Sequence, residues 1–432
     1  MKTRLLAGLI TACCAAPVLA QSNITIYGIA DAGIHVSSNG EGTKTKLVSG
    51  IADGSRLGFK GTEDLGGGYK AIFNIESRIE LDTGGNQAGN ISDNQGFALS
   101  NGMVFPGPAP LAAGALATVR KAMQPAINVN TNAALFDRTA MVGLVTPAGA
   151  ILAGRMYTPG YEVFAVADTF ETGTAGSWSS LTQGGGGILT AGTAIRSDKA
   201  LQYRIALPNG IAAALMYGFK NSGYVGLDDK FWAANLMYKA NGFNLGLGHN
   251  HGYDQSGNQG LVTTTLGGSY ETGAMKFFAG YQAMKNDNSV LIPVLANAWD
   301  AQIAPALIAK GGPAALINGV YTPIFKNKLA NNFKLDADSI SIGMHYRTGN
   351  GRVMGSISHL NDKTAFNNDA TQYAIGYDYN LSKRTDLYTV FSYIKNDNAA
   401  QYAPGAASAP GGFTSAGGEA GRALQIGMRH RF

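Results

Sequence analysis

The sequence predicts an all-β fold: a transmembrane antiparallel β-barrel of about 16 strands, with short turns at one end and long loops at the other. Three observations lead there. Apolar and polar side chains alternate with a period of two, right up to the last residue. The connections between alternating segments are by turns very short and very long. The composition is rich in glycine, with 59 residues, and only 14% of it is charged, where about 7% glycine and a quarter charged are usual.

The N-terminus is set apart first. Met1-Lys2-Thr3-Arg4 is basic, Leu5 to about Ala16 is apolar, and Pro17-Val18-Leu19-Ala20 offers small residues at the −3 and −1 positions. This is a secretory leader, too short for a spanning helix of about 20 residues. The expected organisation is therefore a leader over 1–20, cleaved near Ala20, and a single barrel over 21–432. Both cysteines, Cys13 and Cys14, lie in the leader, so the mature chain has no disulfide and no thiolate chemistry. Losing Lys2 and Arg4 leaves 31 basic against 28 acidic residues, a net charge of +3. That balance argues against nucleic acid as a partner.

The alternation is plainest in Ala71–Leu81. Phe73, Ile75, Ile79 and Leu81 occupy odd positions, and Asn74, Glu76, Arg78 and Glu80 even ones. Successive strand side chains point to opposite faces, so one face is apolar and the other charged. Leu201, Tyr203, Ile205 and Leu207 alternate with Gln202 and Arg204 in the same way. At the C-terminus Leu424, Ile426, Met428, His430 and Phe432 alternate with Gln425, Arg429 and Arg431. About 16 such segments run from 24–36 to 420–432, each close to the length a tilted strand needs to cross a bilayer.

Gly66-Gly67, Pro147-Ala148, Asn241-Gly242 and Asn350-Gly351 make tight turns, because Gly and Asn tolerate the backbone conformations that hairpins require. The long connections span about 82–133, 159–194, 287–333 and 397–419. The stretch 102–128 is Ala/Pro/Gly-rich and reads as irregular, whereas 294–320 can hold a short helix. Hydrocarbon satisfies no backbone hydrogen bonds, so the sheet must close on itself. At about 16 strands the lumen is too wide for side chains to fill and holds water.

Enzymatic signals are thin. His249 and His251 share a strand face but lack a third ligand at convincing spacing. Gly184 to Gly187 precede no Gly-Lys-Ser/Thr. No Gly-x-Ser-x-Gly elbow is present. The reading is a non-enzyme with no catalytic residue, no cofactor and no metal.

The stretch Gly54-Ser-Arg-Leu-Gly-Phe-Lys-Gly-Thr-Glu-Asp-Leu-Gly-Gly-Gly-Tyr-Lys-Ala71 closely resembles the general porins of beta-proteobacterial outer membranes, the Gram-negative trimeric porin family. Ile26–Asp31, Arg138–Leu144, Leu152–Pro159, Asp386–Tyr388 and the terminal Phe432 match as well. The resemblance implies a 16-stranded homotrimer in the outer membrane, in contact with outer-membrane lipid and lipopolysaccharide. It also implies a second loop that latches a neighbour, and a third loop, about 159–194, folded into the pore. The length of 82–133 departs from that pattern. A terminal aromatic such as Phe432 is, in this family, part of the signal read by the barrel-assembly machinery. By its parity Phe432 faces outward.

Parity supplies a pore lining independently. With Leu57 and Phe59 toward lipid, Arg56 and Lys60 face the lumen; with Phe73 and Ile75 outward, Glu76 and Arg78 face it too. Arg155, Arg196 and Arg204 are expected inward by the same reasoning, and Arg138 is placed by resemblance. The third loop carries Glu162, Asp168 and Glu171. A basic wall opposite an acidic loop would set a transverse field that tunes selectivity. The expectation is a passive diffusion channel for small hydrophilic solutes and ions, weakly anion-selective. A substrate-specific outer-membrane channel and an adhesin or receptor barrel are the alternatives; a barrel-borne lipase or protease would need a Ser/His or Asp/His pair that the few histidines do not supply.

Overall fold

The computed structural model describes residues 23–40, 42–88, 105–123, 130, 133–183, 195–222, 229–289, 291–332, 334–409 and 411–432. Residues 1–20, the expected leader, and Gly184–Gly187 lie outside them.

The backbone forms one closed antiparallel sheet. Its strands are β1 (Asn23–Ser38), β2 (Thr43–Ser49), β3 (Arg56–Gly66), β4 (Tyr69–Arg78), β5 (Thr139–Thr146), β6 (Gly149–Tyr157), β7 (Arg196–Ala206), β8 (Ile211–Gly218) and β9 (Phe231–Ala240). They continue with β10 (Phe243–Tyr253), β11 (Gln259–Thr272), β12 (Met275–Asn286), β13 (Leu335–Thr348), β14 (Gly351–Asp362), β15 (Ala370–Asn380), β16 (Thr385–Asn396) and β17 (Gly421–Arg431). β2 and β3 both pair with β1, from β3 onward each strand pairs with the next, and β1 closes the ring on β17 through rungs such as Ile34↔Ile426. No sheet edge is left to hydrocarbon.

One segment had no sequence counterpart. β2 and β3 both pair with β1, β3 along its first half and β2 along its second. Residues 43–66 are thus one barrel strand, interrupted where 50–55 folds inward. The barrel keeps 16 positions although 17 segments are extended. Thr43–Ser49 alternates weakly, and its break hid it.

Rows of directly paired residues share a face. One row runs Ile26–Phe59–Ile75–Ala140, another Tyr27–Gly58–Glu76–Thr139. The first carries the exposed belt, to which Ile24, Leu215, Leu266 and Ile375 belong; this is the apolar band that lipid requires. The second faces the lumen. No helix among the described residues is long and apolar enough to cross a membrane.

The tight turns, those at Gly66-Gly67, Pro147-Ala148, Asn241-Gly242 and Asn350-Gly351 among them, lie at one end and the long connections at the other. Three of the four long connections contain helix among the described residues: α1 is Ala109–Met123 in the first, α2 Pro159–Ala167 and α3 Ser179–Thr182 in the second, and α4 (Leu291–Ala298), α5 (Ala304–Ala309), α6 (Ala314–Leu316) and α7 (Thr322–Asn332) follow in the third, joined by the π-helical turns Trp299–Ile303 and Ile317–Tyr321. The fourth, 397–419, has an isolated bridge, Tyr402 with Phe413, and no helix or strand among its described residues. α1 corrects the expectation of irregular chain over 102–128. Pro108 and Pro110 sit where a helix begins and tolerates proline, and an alanine run follows.

Candidate functional site

The lumen is narrowed by three inward-folded segments. The first is 50–55, held by Asp31 of β1, whose carboxylate accepts from the backbone N–H groups of Ile51, Ala52 and Asp53 at 3.2, 3.0 and 2.8 Å. Tyr388 Oη donates to the same carboxylate at 2.6 Å. The second is 159–183. Thr158 caps α2, accepting from Tyr161 N, and Pro159 starts the helix. Gly160 N donates to Asn250 Oδ1 at 3.0 Å and Asn235 Nδ2 to the Pro159 carbonyl at 3.0 Å, so β9 and β10 hold the helix start. The helix lies along inward-facing Gly246, Gly267 and Gly280, which are successive partners across β10, β11 and β12. A Cβ on these would meet Val163 at 2.8 Å, Ala167 at 2.9 Å and Trp178 at 2.5 Å, respectively.

The third segment is 403–409. Ala407 N and Ser408 N donate to the Ile51 and Gly50 carbonyls at 3.0 and 2.9 Å, Gly405 N to Ser180 Oγ at 3.3 Å. Thr174 N donates to the Ile51 carbonyl at 2.6 Å. Gln425 of β17 accepts from Ala175 N at 2.6 Å and donates to the Gly405 carbonyl at 2.9 Å. The three segments are therefore knit to one another and to the wall.

Beside this knot the basic residues gather. Arg138 Nε donates to Glu76 Oε1 at 2.5 Å and its Nη2 to Tyr157 Oη at 3.2 Å. Arg196 Nη2 donates to the same Tyr157 oxygen at 2.5 Å, and its guanidinium also stands over that ring, 4.2 Å from the centroid. Arg56 pairs with Asp53 and lies 3.8 Å from Glu76. Arg56 and Arg138 thus share two carboxylates, and Arg196 joins them through Tyr157. Tyr161 of α2 stacks on Tyr157 at 5.2 Å. Lys60 is exposed on the same face, its Nζ 5.1 Å from the Tyr27 ring.

The other expected lining residues fall elsewhere. Arg78 faces inward but is buried, bound to Asp137, Glu80 and the Ser408 carbonyl; it holds a loop instead of lining open water. Arg204 reaches Glu162, which also accepts from Asn235 Nδ2 at 2.9 Å. Arg155 corrects the parity argument. Its partner is Ala140, on the outward row, and it closes onto Asp198 and the Asp137 carbonyl. The argument assumed that apolar residues of β6 face lipid, whereas Leu152 and Met156 face inward into an apolar cluster with Met216, Phe231 and Ala233.

Of the third-loop acids, Glu162 and Glu171 each meet a wall arginine, Arg204 and Arg352, whereas Asp168 is turned into the loop itself. Asp168 is buried, and its carboxylate accepts from Phe170 N, Thr172 N, Trp178 N and Ser177 Oγ at 3.2, 2.8, 3.2 and 2.6 Å. Burial raises its pKa, and these hydrogen bonds only partly offset that. Glu171 is held away from the Arg56–Arg138–Arg196 group by Arg352, which donates from Nη1 and Nη2 at 2.7 and 2.8 Å. Burial pushes the Glu171 carboxyl up, but Arg352 outweighs it and holds it down at about 2. Glu171, Thr172 and Thr174 all have positive φ, 56°, 62° and 60°, a conformation that costs β-branched residues strain.

Tyr157, Tyr161 and Asp31 complete the site but were not singled out as lining residues. Regularly spaced glycines on inward parity, such as Gly246 and Gly248, were the one signal for the helix's bed. His249 and His251 stand on the outward face beside Trp232, at 4.9 and 5.6 Å between ring centroids. Phe432 is half-exposed on the outward row, and its N–H and C=O both bond Gly28 at 3.1 Å.

A closed barrel with an apolar belt, a polar lumen and a charged, loop-narrowed waist defines an outer-membrane channel. A model of the Gram-negative porin family matches residues 6–399. An outer membrane porin protein of Bordetella pertussis is 26% identical, covering 100% of both chains. Outer membrane porin protein 32 of Delftia acidovorans is 24% identical over 96% of this chain and 95% of that one. The solved anion-selective porin from Comamonas acidovorans superposes with a TM-score of 0.66 at 22% identity, over 95% of this chain and 100% of that one. The chain belongs to the Gram-negative porin family; it is a multi-pass outer-membrane barrel and a passive diffusion channel.

Proposed function

We propose that this porin is a general diffusion channel with a weak preference for anions, that it works as a homotrimer, and that it has no catalytic activity. The arrangement of Arg56, Arg138 and Arg196 around Tyr157 carries the reading. Among the described residues, Glu76 and Asp53 are the carboxylates paired with Arg56 and Arg138, while Glu162 and Glu171 are each neutralised by a wall arginine. The excess positive charge stands where the lumen is narrowed, and a charged constriction sets ionic preference. The anion-selective porin among the solved structures is consistent with this.

The third loop, 159–194, would set size together with 50–55 and 403–409. The residues assigned to the constriction are Arg56, Arg138, Arg196 and Glu76, with Lys60 along the solute path and Arg204–Glu162 beyond it. Cleavage of a leader near Ala20, contact of the outer belt with lipopolysaccharide, and reading of Phe432 by the assembly machinery belong to the same proposal. The stacked Tyr157 and Tyr161 favour one second reading, a channel with affinity for a solute that has a flat face.

Single-channel recording of the refolded protein under a salt gradient tests the reading. Conductance in triplet steps with a small reversal potential of anionic sign is expected. A cationic sign would overturn the selectivity, and saturation by one solute would favour the second reading.

A further inference from the structure

Two connections that start on opposite sides of the barrel share one hydrophobic core. Counting β2 and β3 as one barrel strand, 79–138 joins the third and fourth positions and 287–334 the eleventh and twelfth. They are eight strands apart in a ring of 16, half the circumference. Yet Phe105 of the first lies 5.8 Å from the Trp299 ring of the second and 4.7 Å from Tyr321. Tyr321 Oη donates to the Pro106 carbonyl at 2.7 Å. Ala115 of α1 is fully buried in the same core, with Leu295, Ile303, Leu307, Phe325 and Leu329. Trp299 stacks on Phe325 at 4.4 Å and donates from Nε1 to Thr322 Oγ1 at 2.7 Å.

Elements rooted on opposite rims meet only by crossing the mouth between them. A third root confirms the geometry. Phe413, from the connection between the fifteenth and sixteenth positions, is buried in this core too. That connection stands four strands from each of the other two. The same connection, through 403–409, is bonded to the constricting segments below. The roof and the waist are therefore mechanically continuous.

We propose that α1 and α4–α7 form a roof across the outer mouth, and that this roof is a second size filter on the solute path, in series with the constriction. Its aromatic core, Phe105, Trp299, Tyr321 and Phe325, decides how far it stays closed. Large neutral solutes are excluded before they reach the arginines. Small ions pass around it and are sorted below. The proposal rests on the chain's being a diffusion channel, and goes beyond it in assigning exclusion to a structure outside the barrel wall.

The test is swelling of liposomes that hold the refolded porin, in a series of neutral sugars of rising size, with reversal potentials measured in parallel. Three variants are compared: 291–332 replaced by a short Gly/Ser linker; Trp299→Ala; and Leu111→Cys with Gly312→Cys, bridged by a short bis-maleimide in a Cys13→Ser, Cys14→Ser background. A Cβ on Gly312 stands 3.3 Å from Leu111 Cδ1, so the last pair ties α1 to the opposite connection. Excision and Trp299→Ala should raise the rate of large sugars relative to glucose several-fold, leaving the sign of the reversal potential unchanged. Bridging should lower it. If the excised barrel folds, as judged by its heat-shifted migration, and sieves as the parent does, the roof is off the path and the proposal falls. If it does not fold, Trp299→Ala and the bridged pair decide, and unchanged sieving in both overturns it. A parent that conducts nothing would instead overturn the diffusion channel itself.

Discussion

Trp178 of the third loop sets the outer edge of its ring against Gly280 of β12, so closely that a Cβ there would stand 2.5 Å from it. Trp178 is fully buried and donates from Nε1 to Ser339 Oγ at 2.7 Å. A wall glycine and a loop tryptophan thus set how deep the loop sits. Gly267, next along the same row, receives Ala167 in the same way.

Gly280→Leu should force the ring off the wall. Overpacking of this kind costs about 1–3 kcal/mol, less than a barrel of this size commands, so the barrel should fold and the loop should move. Single-channel conductance should change and its noise rise. A conductance indistinguishable from the parent would mean that the loop finds another seat.

Much of this was legible in the alternation. Arg56, Lys60, Glu76 and Phe432 lie on the faces their parity assigns. Parity failed at Arg155 for a physical reason: under an inward-folded loop the wall carries Leu152 and Met156, so apolar no longer means lipid-facing. The acidic residues of the third loop could not be placed, because their partners are distant. Glu171 finds Arg352 and Glu162 finds Arg204, and no local pattern announces either pair. The roof was hidden because its two halves look like unrelated loops until Phe105 and Trp299 are seen together.

Neutralising the arginines separates field from fold. Arg138 is buried against Glu76, so Arg138→Ala leaves a carboxylate without its partner, a loss of about 3–5 kcal/mol for a buried pair. Arg56→Gln and Arg196→Gln keep the hydrogen-bonding shape and remove charge. The double variant should shift the reversal potential toward cations and slow chloride at unchanged pore size. If the potential stays put, the anion preference arises elsewhere on the wall.

Phe432 offers a test in which assembly and stability come apart. Its backbone bonds to Gly28, not its ring, close the barrel seam. A Cβ on Gly28 would stand 2.4 Å from the Phe432 ring, so the ring also covers the seam. Phe432→Ala should refold in detergent with little loss, since the backbone pair remains, yet reach the outer membrane poorly in cells. Equal amounts of folded protein in isolated outer membranes would remove the assembly role.

The third-loop tip has a pH dependence whose sign can be worked out. Glu171 is held at about 2 by Arg352, below the ordinary glutamate value of about 4.3. A carboxylate depressed in the docked loop stabilises docking fully above its free value, and loses that stabilisation as pH falls toward the depressed one. Asp168 is raised by burial, its hydrogen bonds opposing, so acid protonates it without loosening the loop. Conductance should hold steady from neutral pH to about 4 and become noisy only as pH approaches about 2, where the Glu171 clamp is lost. Because Glu171, Thr172 and Thr174 are strained, the tip should spring away once the clamp goes. Glu171→Gln should therefore show at neutral pH the noise that the parent shows only in strong acid. If Glu171→Gln is quiet at neutral pH, the clamp does not hold the strain.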